Sequence, residues 1–364
     1  MKIRSVQARI VEIPFKDGGS GQGITPTTWN MLETVLVRVE DTEGNVGWGE
    51  SFAYFIADAT CSVIDSLIKP MVEGTKVDSI EAWNQQIQRQ LHLFGRYGVT
   101  LFAISGVDMA LWDLYAKRVG KPLYKVLGQG ERTRLSTYAS LVRYNDARIA
   151  PQVCGLALDE GFTSLKLHEI SMEPIEACHA ATRGQVPISV DVNCSWSVAD
   201  AHAHLQRLGQ MGNISWLEEP IFPPEDFKAL NSLRNATVPI AAGENWCTEQ
   251  QFRQAIEARA VDYIQPSVTK VGGISEFLRV MHTADQHGIG VLPHSPYFGP
   301  GLLATLHLAA AFPQMMQVEY LYVEPDAWLI DLSPIRHGAE FTLSDQPGIG
   351  LEPDEAVIAK FLRP

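Results

Sequence analysis

The sequence predicts a (β/α)8 barrel with a separate α+β cap, and three observations predict it. From about Leu135 onward a short apolar run ending in a polar or charged residue recurs eight times, the first seven runs each followed by a helix-period segment. Upstream, apolar and polar residues alternate as in an antiparallel sheet before the pattern turns helical. The 364 residues also exceed what one core usually organises, so a large unit plus a smaller one is the natural division. Eight regularly spaced units specify a closed parallel barrel better than an open doubly wound sheet.

Each element follows in order. Met1 to Pro14 alternates like a strand, Lys16 to Thr28 is polar and rich in Gly and Thr, and Leu32–Val39 and Val46–Glu50 alternate around a turn at Asp41–Asn45. Asp58 to Leu127 reads as helical; Phe102 to Arg118 carries apolar residues at three-and-four spacing, ahead of a break at Lys121–Pro122. The barrel strands are then Leu135–Leu141, Thr163–His168, Pro187–Asn193, Ile214–Pro220, Pro239–Asn245, Val261–Ser267, Gly290–Ser295 and Gln317–Tyr322. Ser275–Gln286 and Pro300–Ala311 are the clearest of the intervening helices. A Pro/Gly turn at Gln346–Gly350 and a short helix after Pro353 close the chain. The expected division is a cap over residues 1–127, a barrel over 128–330, and a segment, 331–364, packing back on the cap.

Bulk properties narrow the function. Hydrophobic residues make up 46% and charged residues 20%, a globular mix. A net charge of −13 without a Lys/Arg run disfavours nucleic acid and anionic membrane as partners and favours a small molecule. No apolar run approaches the roughly 20 residues of a membrane helix, and the N-terminus lacks the apolar stretch of a signal peptide. Cys61, Cys154, Cys178, Cys194 and Cys247 are odd in number and lack CxxC spacing, which predicts a reduced, cytoplasmic protein.

Barrel enzymes work at the C-terminal ends of their strands, so those ends are where chemistry is sought. Three consecutive predicted strands end on carboxylates, Asp191, Glu218 and Glu244. Acids crowded at one mouth repel unless a cation joins them, and an all-oxygen donor set points to Mg2+ over Zn2+. Lys166 and His168, two apart on one strand, face the same way, into the lumen. A lysine there, desolvated and near a metal, would have its pKa lowered and would suit a general base. His294 ends the seventh strand, roughly across the barrel, and Glu319 lies on the eighth. Groups on opposite sides of a bound carbon acid suit proton removal on one face and delivery on the other.

Taken together, Gly47-Trp48-Gly49-Glu50, Gly106-Val107-Asp108-Met109-Ala110-Leu111-Trp112-Asp113-Leu114, Asp191-Val192-Asn193, Glu218-Glu219-Pro220, Gly243-Glu244-Asn245-Trp246 and Lys270-Val271-Gly272-Gly273 span nearly the whole chain. In this set and order the sequence resembles the enolase superfamily, in its mandelate racemase/muconate lactonizing branch. The resemblance implies Mg2+ on Asp191, Glu218 and Glu244, and abstraction of the proton α to a carboxylate to give a metal-stabilised enediolate. It implies that loops Lys16–Asn30 and Ser51–Asp58 close over the substrate, making Trp29, Tyr54 and Phe55 candidate specificity residues. Asn193, Lys270 and Ser267 are further candidate substrate contacts, and the family commonly forms homo-oligomers.

Two positions depart from the mandelate-racemase pattern. Ser267 stands where an Asp usually partners the histidine, and Lys166-x-His168 replaces the usual Lys-x-Lys. A serine orients His294 but does not favour its protonated form, so His294 is expected to be a weaker base. That disfavours symmetric racemisation and favours dehydration of an acid sugar to a 2-keto-3-deoxy acid. Lys166 would be the base, His294 or His168 the acid, and Glu319 the group that stabilises the enediolate. The alternatives are a racemase, epimerase or cycloisomerase of a related carboxylate, and a non-catalytic sugar-acid binding protein.

Overall fold

In the computed structural model, residues 1–19, 28–128, 132–234, 237–315 and 317–363 are described. Residues 20–27 of the expected Lys16–Asn30 closing loop lie outside that set.

The N-terminal alternation becomes strands β1 (Ile3–Lys16), β2 (Met31–Asp41) and β3 (Val46–Ser51) of an antiparallel sheet. The turn between β2 and β3 forms because the Asp41 carboxylate accepts hydrogen bonds from the backbone of Glu43 and Asn45, both 2.9 Å. Helices follow, notably Ile80–Gln90 and the 20-residue Val99–Arg118. Gly47 and Gly49 let β3 lie directly on that long helix: a Cβ there would sit 2.1 Å from the Ala110 carbonyl oxygen or 2.0 Å from that of Gly106. Two stretches singled out in the sequence are thus the two halves of one backbone contact.

Val99–Arg118 corrects one expectation, since its length and apolarity are those of a membrane span. It is apolar all round because it is buried all round, with 83% of that stretch inside the protein.

Among the described residues the barrel comprises β4 (Arg134–Leu141), β5 (Leu165–Leu167), β6 (Ile188–Asp191), β7 (Ile214–Glu218), β8 (Ile240–Ala242), β9 (Tyr263–Ile264), β10 (Gly290–Val291) and β11 (Val318–Leu321). Neighbours run parallel in sequence order from β4 to β10, and β11 pairs with β4 in parallel, Val318 opposite Thr137. At the remaining seam Ser295 reaches β11, its N–H donating to the Glu319 carboxylate and its hydroxyl to the Glu319 carbonyl. The predicted parallel barrel is therefore correct. Its strands are shorter than expected, because the polar residues at their ends bend into loops. Glu244, Ser267 and His294 sit just past their strands rather than on them.

After the barrel the chain divides. β12 (Glu324–Pro325) joins the cap sheet beside β1, and the helix Glu355–Phe361 leads to Arg363, whose N–H donates to Ile10 on β1 at 2.9 Å. The hairpin β13 (Arg336–His337) and β14 (Glu340–Thr342) does not pack on the cap as expected; β14 pairs antiparallel with β4, Phe341 opposite Leu135. The reason is geometric: β4 begins before β5 can cover it, leaving its first residues' backbone groups for β14 to satisfy.

Candidate active site

The floor of the barrel mouth is an ionic cage around Lys166. Its ammonium, wholly buried, lies 2.6 Å from Glu218, 2.9 Å from Glu319 and 3.2 Å from Asp191. The alternation of β5 puts Lys166 and His168 in the lumen, as predicted. The lowering expected of the lysine is tied to a neighbouring metal ion, and the protein's own groups act the other way. Burial alone would lower its pKa, but Glu218, Glu319 and Asp191 outweigh it and hold the ammonium well above its usual range. Here Lys166 is itself the cation that the acids share.

Glu319 spends its oxygens on this cage. One accepts from the Ser140 hydroxyl at 2.7 Å as well as from Lys166, and the other accepts the Ser295 N–H at 2.9 Å. Burial pushes its carboxyl up, but Lys166, His294 and His168 overcome this and keep it below the ordinary range. In this arrangement Glu319 is an acceptor toward Ser140, Ser295 and Lys166 alike.

His168 is fixed from both sides. Its Nδ1 is 2.5 Å from the Leu141 carbonyl, which can only accept, so that nitrogen carries a proton and Nε2 faces Asp191 at 3.2 Å. Burial works against the Asp191 carboxylate, yet Lys166 and His168 hold its carboxyl well below the usual range. Arg143, which the sequence reading missed, donates to the His168 carbonyl and to Asn193 Oδ1, both 2.7 Å. A single arginine one strand away gives no sequence signal.

His294 has two partners. Nε2 is 2.6 Å from Glu244, and Nδ1 is 3.3 Å from the Tyr297 hydroxyl, which in turn bonds the Ser267 hydroxyl. Two expectations change. Ser267 does not touch His294 directly but acts through Tyr297, and the histidine does have a carboxylate neighbour, on its other nitrogen. Burial raises the Glu244 carboxyl, while His294 and Lys270 more than compensate and hold it low. Tyr297, three residues past His294, was not anticipated, because nothing in the sequence marks it as a neighbour of Ser267.

Above the floor lies a cavity of about 460 Å³. Of the expected site residues, Trp29, Tyr54, Phe55, His168, Asn193, Glu244, Lys270, His294 and Glu319 line it. Lys166, Asp191 and Glu218 lie beneath, and Ser267 behind Tyr297. Phe52, Tyr97 and Phe102 also face the cavity and were not anticipated, since exposed or loop aromatics look ordinary in sequence.

The expected metal ligands do not stand together ready-made. Among the described residues no three His, Cys, Asp or Glu side chains are gathered as an ion-holding cluster. Each acid instead faces an internal partner: Asp191 and Glu218 share Lys166, and Glu244 lies against His294. The donor chemistry nevertheless fits a hard divalent cation. Three carboxylates stand at the ends of β6 and β7 and just past β8, and Asp191 Oδ2 is buried with no hydrogen bond of good geometry.

A cap of antiparallel sheet and helices over a barrel with acids and two flanking bases at its mouth defines an enolase-type architecture. Residues 149–357 match the family described as "Enolase C-terminal domain-like", and residues 20–128 match "Mandelate racemase / muconate lactonizing enzyme, N-terminal domain". The chain belongs to the mandelate racemase/muconate lactonizing enzyme family of the enolase superfamily. It is 32% identical to arabinonate dehydratase of Saccharolobus solfataricus over 77% of each chain. It is 27% identical to D-galactarolactone cycloisomerase of Agrobacterium fabrum over 100% of both. A mandelate racemase/muconate lactonizing protein from Paracoccus denitrificans, solved in complex with magnesium, superposes with a TM-score of 0.85 at 25% identity, covering 100% of this chain and 98% of its own.

Proposed function

We propose that this protein is a Mg2+-dependent acid-sugar dehydratase, converting a 2,3-dihydroxy carboxylate to a 2-keto-3-deoxy acid. The observation that carries this reading is the inequality of the two bases. Lys166 lies under the floor in a cage of carboxylates, whereas His294 and His168 line the cavity itself. Unlike groups suit a reaction with one base and one acid, while racemisation asks for comparable bases on both faces. The arabinonate dehydratase relative supports the same chemistry.

Asp191, Glu218 and Glu244 would hold the metal. Mg2+ bound there supplies positive charge to the substrate carboxylate and so lowers the cost of removing its α-proton. Lys166 Nζ, once it has given up the proton it carries in the carboxylate cage and is a neutral amine, takes the proton from C2. The electron pair of that C–H bond forms the C2–C3 double bond, and the C3 hydroxyl departs with a proton from His294. The enol product tautomerises to the keto acid, so the net change is loss of one water. Glu319, held by Ser140 and Ser295 and already 2.9 Å from Lys166, would keep its place beside the lysine when the abstracted proton makes it an ammonium again. Arg143 fixes the His168 carbonyl and Asn193, setting that side of the cavity.

Cycloisomerisation is the second reading, favoured by the relative matched over its full length. It shares the α-proton step and differs in what leaves C3. Incubating the protein with Mg2+ and a panel of acid sugars separates these outcomes. Dehydration gives a 2-keto acid that semicarbazide detects, whereas deuterium entering C2 in D2O without keto acid would overturn the leading reading. Mg2+-dependent ligand binding with no C2 chemistry at all would identify a binding protein.

A further inference from the structure

Lys166 and Lys117 spend their charge inside the protein, and Lys270 does not. Lys166 meets three carboxylates. Lys117 meets Asp113 at 2.8 Å and Glu352 at 2.5 Å, and donates to the Val46 carbonyl at 3.1 Å. Lys270 is only 8% exposed, yet among the described residues no carboxylate lies within ion-pair distance of it. Its ammonium makes one long hydrogen bond, 3.4 Å to Asn245 Oδ1, and rests 4.9 Å over the Phe52 ring. Glu244 feels that charge without pairing with it. An ammonium so nearly buried, with donors unspent, is costly until an acceptor reaches it. Its backbone is held in place: the Lys270 and Val271 N–H groups both donate to the Ser267 carbonyl, at 3.0 and 2.9 Å, and Phe52 of the cap donates to Thr269 at 3.3 Å. The side chain therefore stands at the border between the floor and an aromatic wall of Trp29, Phe52, Tyr54, Phe55, Tyr97 and Phe102. Among the described lining residues it is the one side chain of fixed positive charge.

From this contrast we infer that Lys270 is a specificity-determining residue whose ammonium donates to a substrate hydroxyl beyond C3. This role rests on the acid-sugar reading of the site and adds a contact to it. An ammonium donates and never accepts, so its partner is an oxygen with a free lone pair. Under that reading the metal takes the carboxylate, Lys166 addresses C2 and His294 the C3 hydroxyl. The oxygens beyond C3 are left for the cation that the cavity has not yet spent. Asn245 favours a hydroxyl over a second carboxylate. Its Nδ2 donates to Glu244 at 3.2 Å, which turns Oδ1 toward the ammonium, where it can accept the proton of the hydroxyl that Lys270 holds.

The test uses the full chain with Mg2+, wild type and Lys270→Met, on a panel of pentonates and hexonates. Binding is read by calorimetry and turnover by keto-acid formation. For the aldonate that wild type binds best, Lys270→Met should weaken binding about tenfold or more. That acid is then compared with its deoxy forms at each carbon beyond C3. One deoxy form should bind wild type and Lys270→Met within about twofold of each other, because the hydroxyl that tells them apart is gone. A loss under about twofold on the parent aldonate overturns the inference, and so does a difference that persists in every deoxy form. Where keto acid forms, the loss in kcat/KM should lie mainly in KM; a loss confined to kcat overturns it too. Lys270→Met leaves no acid without its partner, so its thermal unfolding midpoint should not fall. A marked fall would make the lysine structural and end the proposal. If the binding pattern holds and no keto acid forms, the dehydratase reading fails and the Lys270 contact stands. If no acid in the panel binds wild type, the acid-sugar reading itself fails and takes the contact with it.

Discussion

The floor and the wall of the cavity are built on opposite principles. The floor is a saturated ionic network on rigid strand ends, in which Lys166 satisfies Asp191, Glu218 and Glu319 at once. The wall comes from cap loops and the segment around Tyr97, with Phe55 and Tyr97 more than half exposed. Under the proposed function the floor would set which bond is attacked, and the wall would set which molecule is admitted. A floor substitution should damage stability and chemistry together; a wall substitution should shift preference and leave both largely intact.

The largest effect that could break this contrast is on stability at the floor. Lys166→Met removes the one cation three buried acids share, and leaving such charges unpaired costs about 3–5 kcal/mol. Chemical denaturation should show that loss, with a substantial part recovered on adding Mg2+. No recovery would mean that the acids do not take up the ion.

Next is the joint between cap and barrel. Gly273 has φ of +86°, and a Cβ there would come 2.5 Å from Asp108 Cβ. Gly273→Ala should lower stability by about 2 kcal/mol or more, read from the denaturant midpoint, because strain and overpacking add. A neutral result would show that the joint yields more easily than the floor.

Smaller still is Tyr297→Phe, which cuts the hydroxyl link between Ser267 and His294. It should reduce kcat about tenfold with KM nearly unchanged. A change confined to KM would move Tyr297 from the floor's chemistry to the wall's selection.

The smallest effect is pH dependence outside both regions. Burial raises Glu50 and Asp108 from ordinary values of 4.5 and 3.8 to about 7. Between those values and pH 7 the folded state binds more protons than the unfolded one, so stability falls as pH rises through the window. Glu50→Gln should flatten the fall, as followed by thermal unfolding from pH 5 to 7.5.

The same contrast explains what the sequence could and could not say. The barrel and the floor were legible because parallel strands concentrate apolar runs and end them on chemistry; Asp191 and Glu218 are the last residues of β6 and β7. The cap motif and its helix were visible as patterns, but their meaning, glycines against a helix backbone, needed the contact itself. What stayed hidden depends on distant side chains meeting: Arg143 bracing His168 and Asn193, Tyr297 between Ser267 and His294, and Glu244 turned to His294. Phe52 and Tyr97 escaped because a loop aromatic carries no periodic signal, and Phe102 because its place in a helical apolar pattern marks it as core rather than cavity lining. The lysine's protonation was not legible either, since it depends on which cation the acids face.

The most direct test of the central claim is proton NMR in D2O with Mg2+, comparing wild type and Lys166→Ala on an acid that wild type accepts. The account predicts a 2-keto acid carrying deuterium at C3 from wild type, and neither product nor C2 exchange from Lys166→Ala. Unimpaired product formation by Lys166→Ala, or wild type that exchanges C2 and returns only the starting acid, would contradict it.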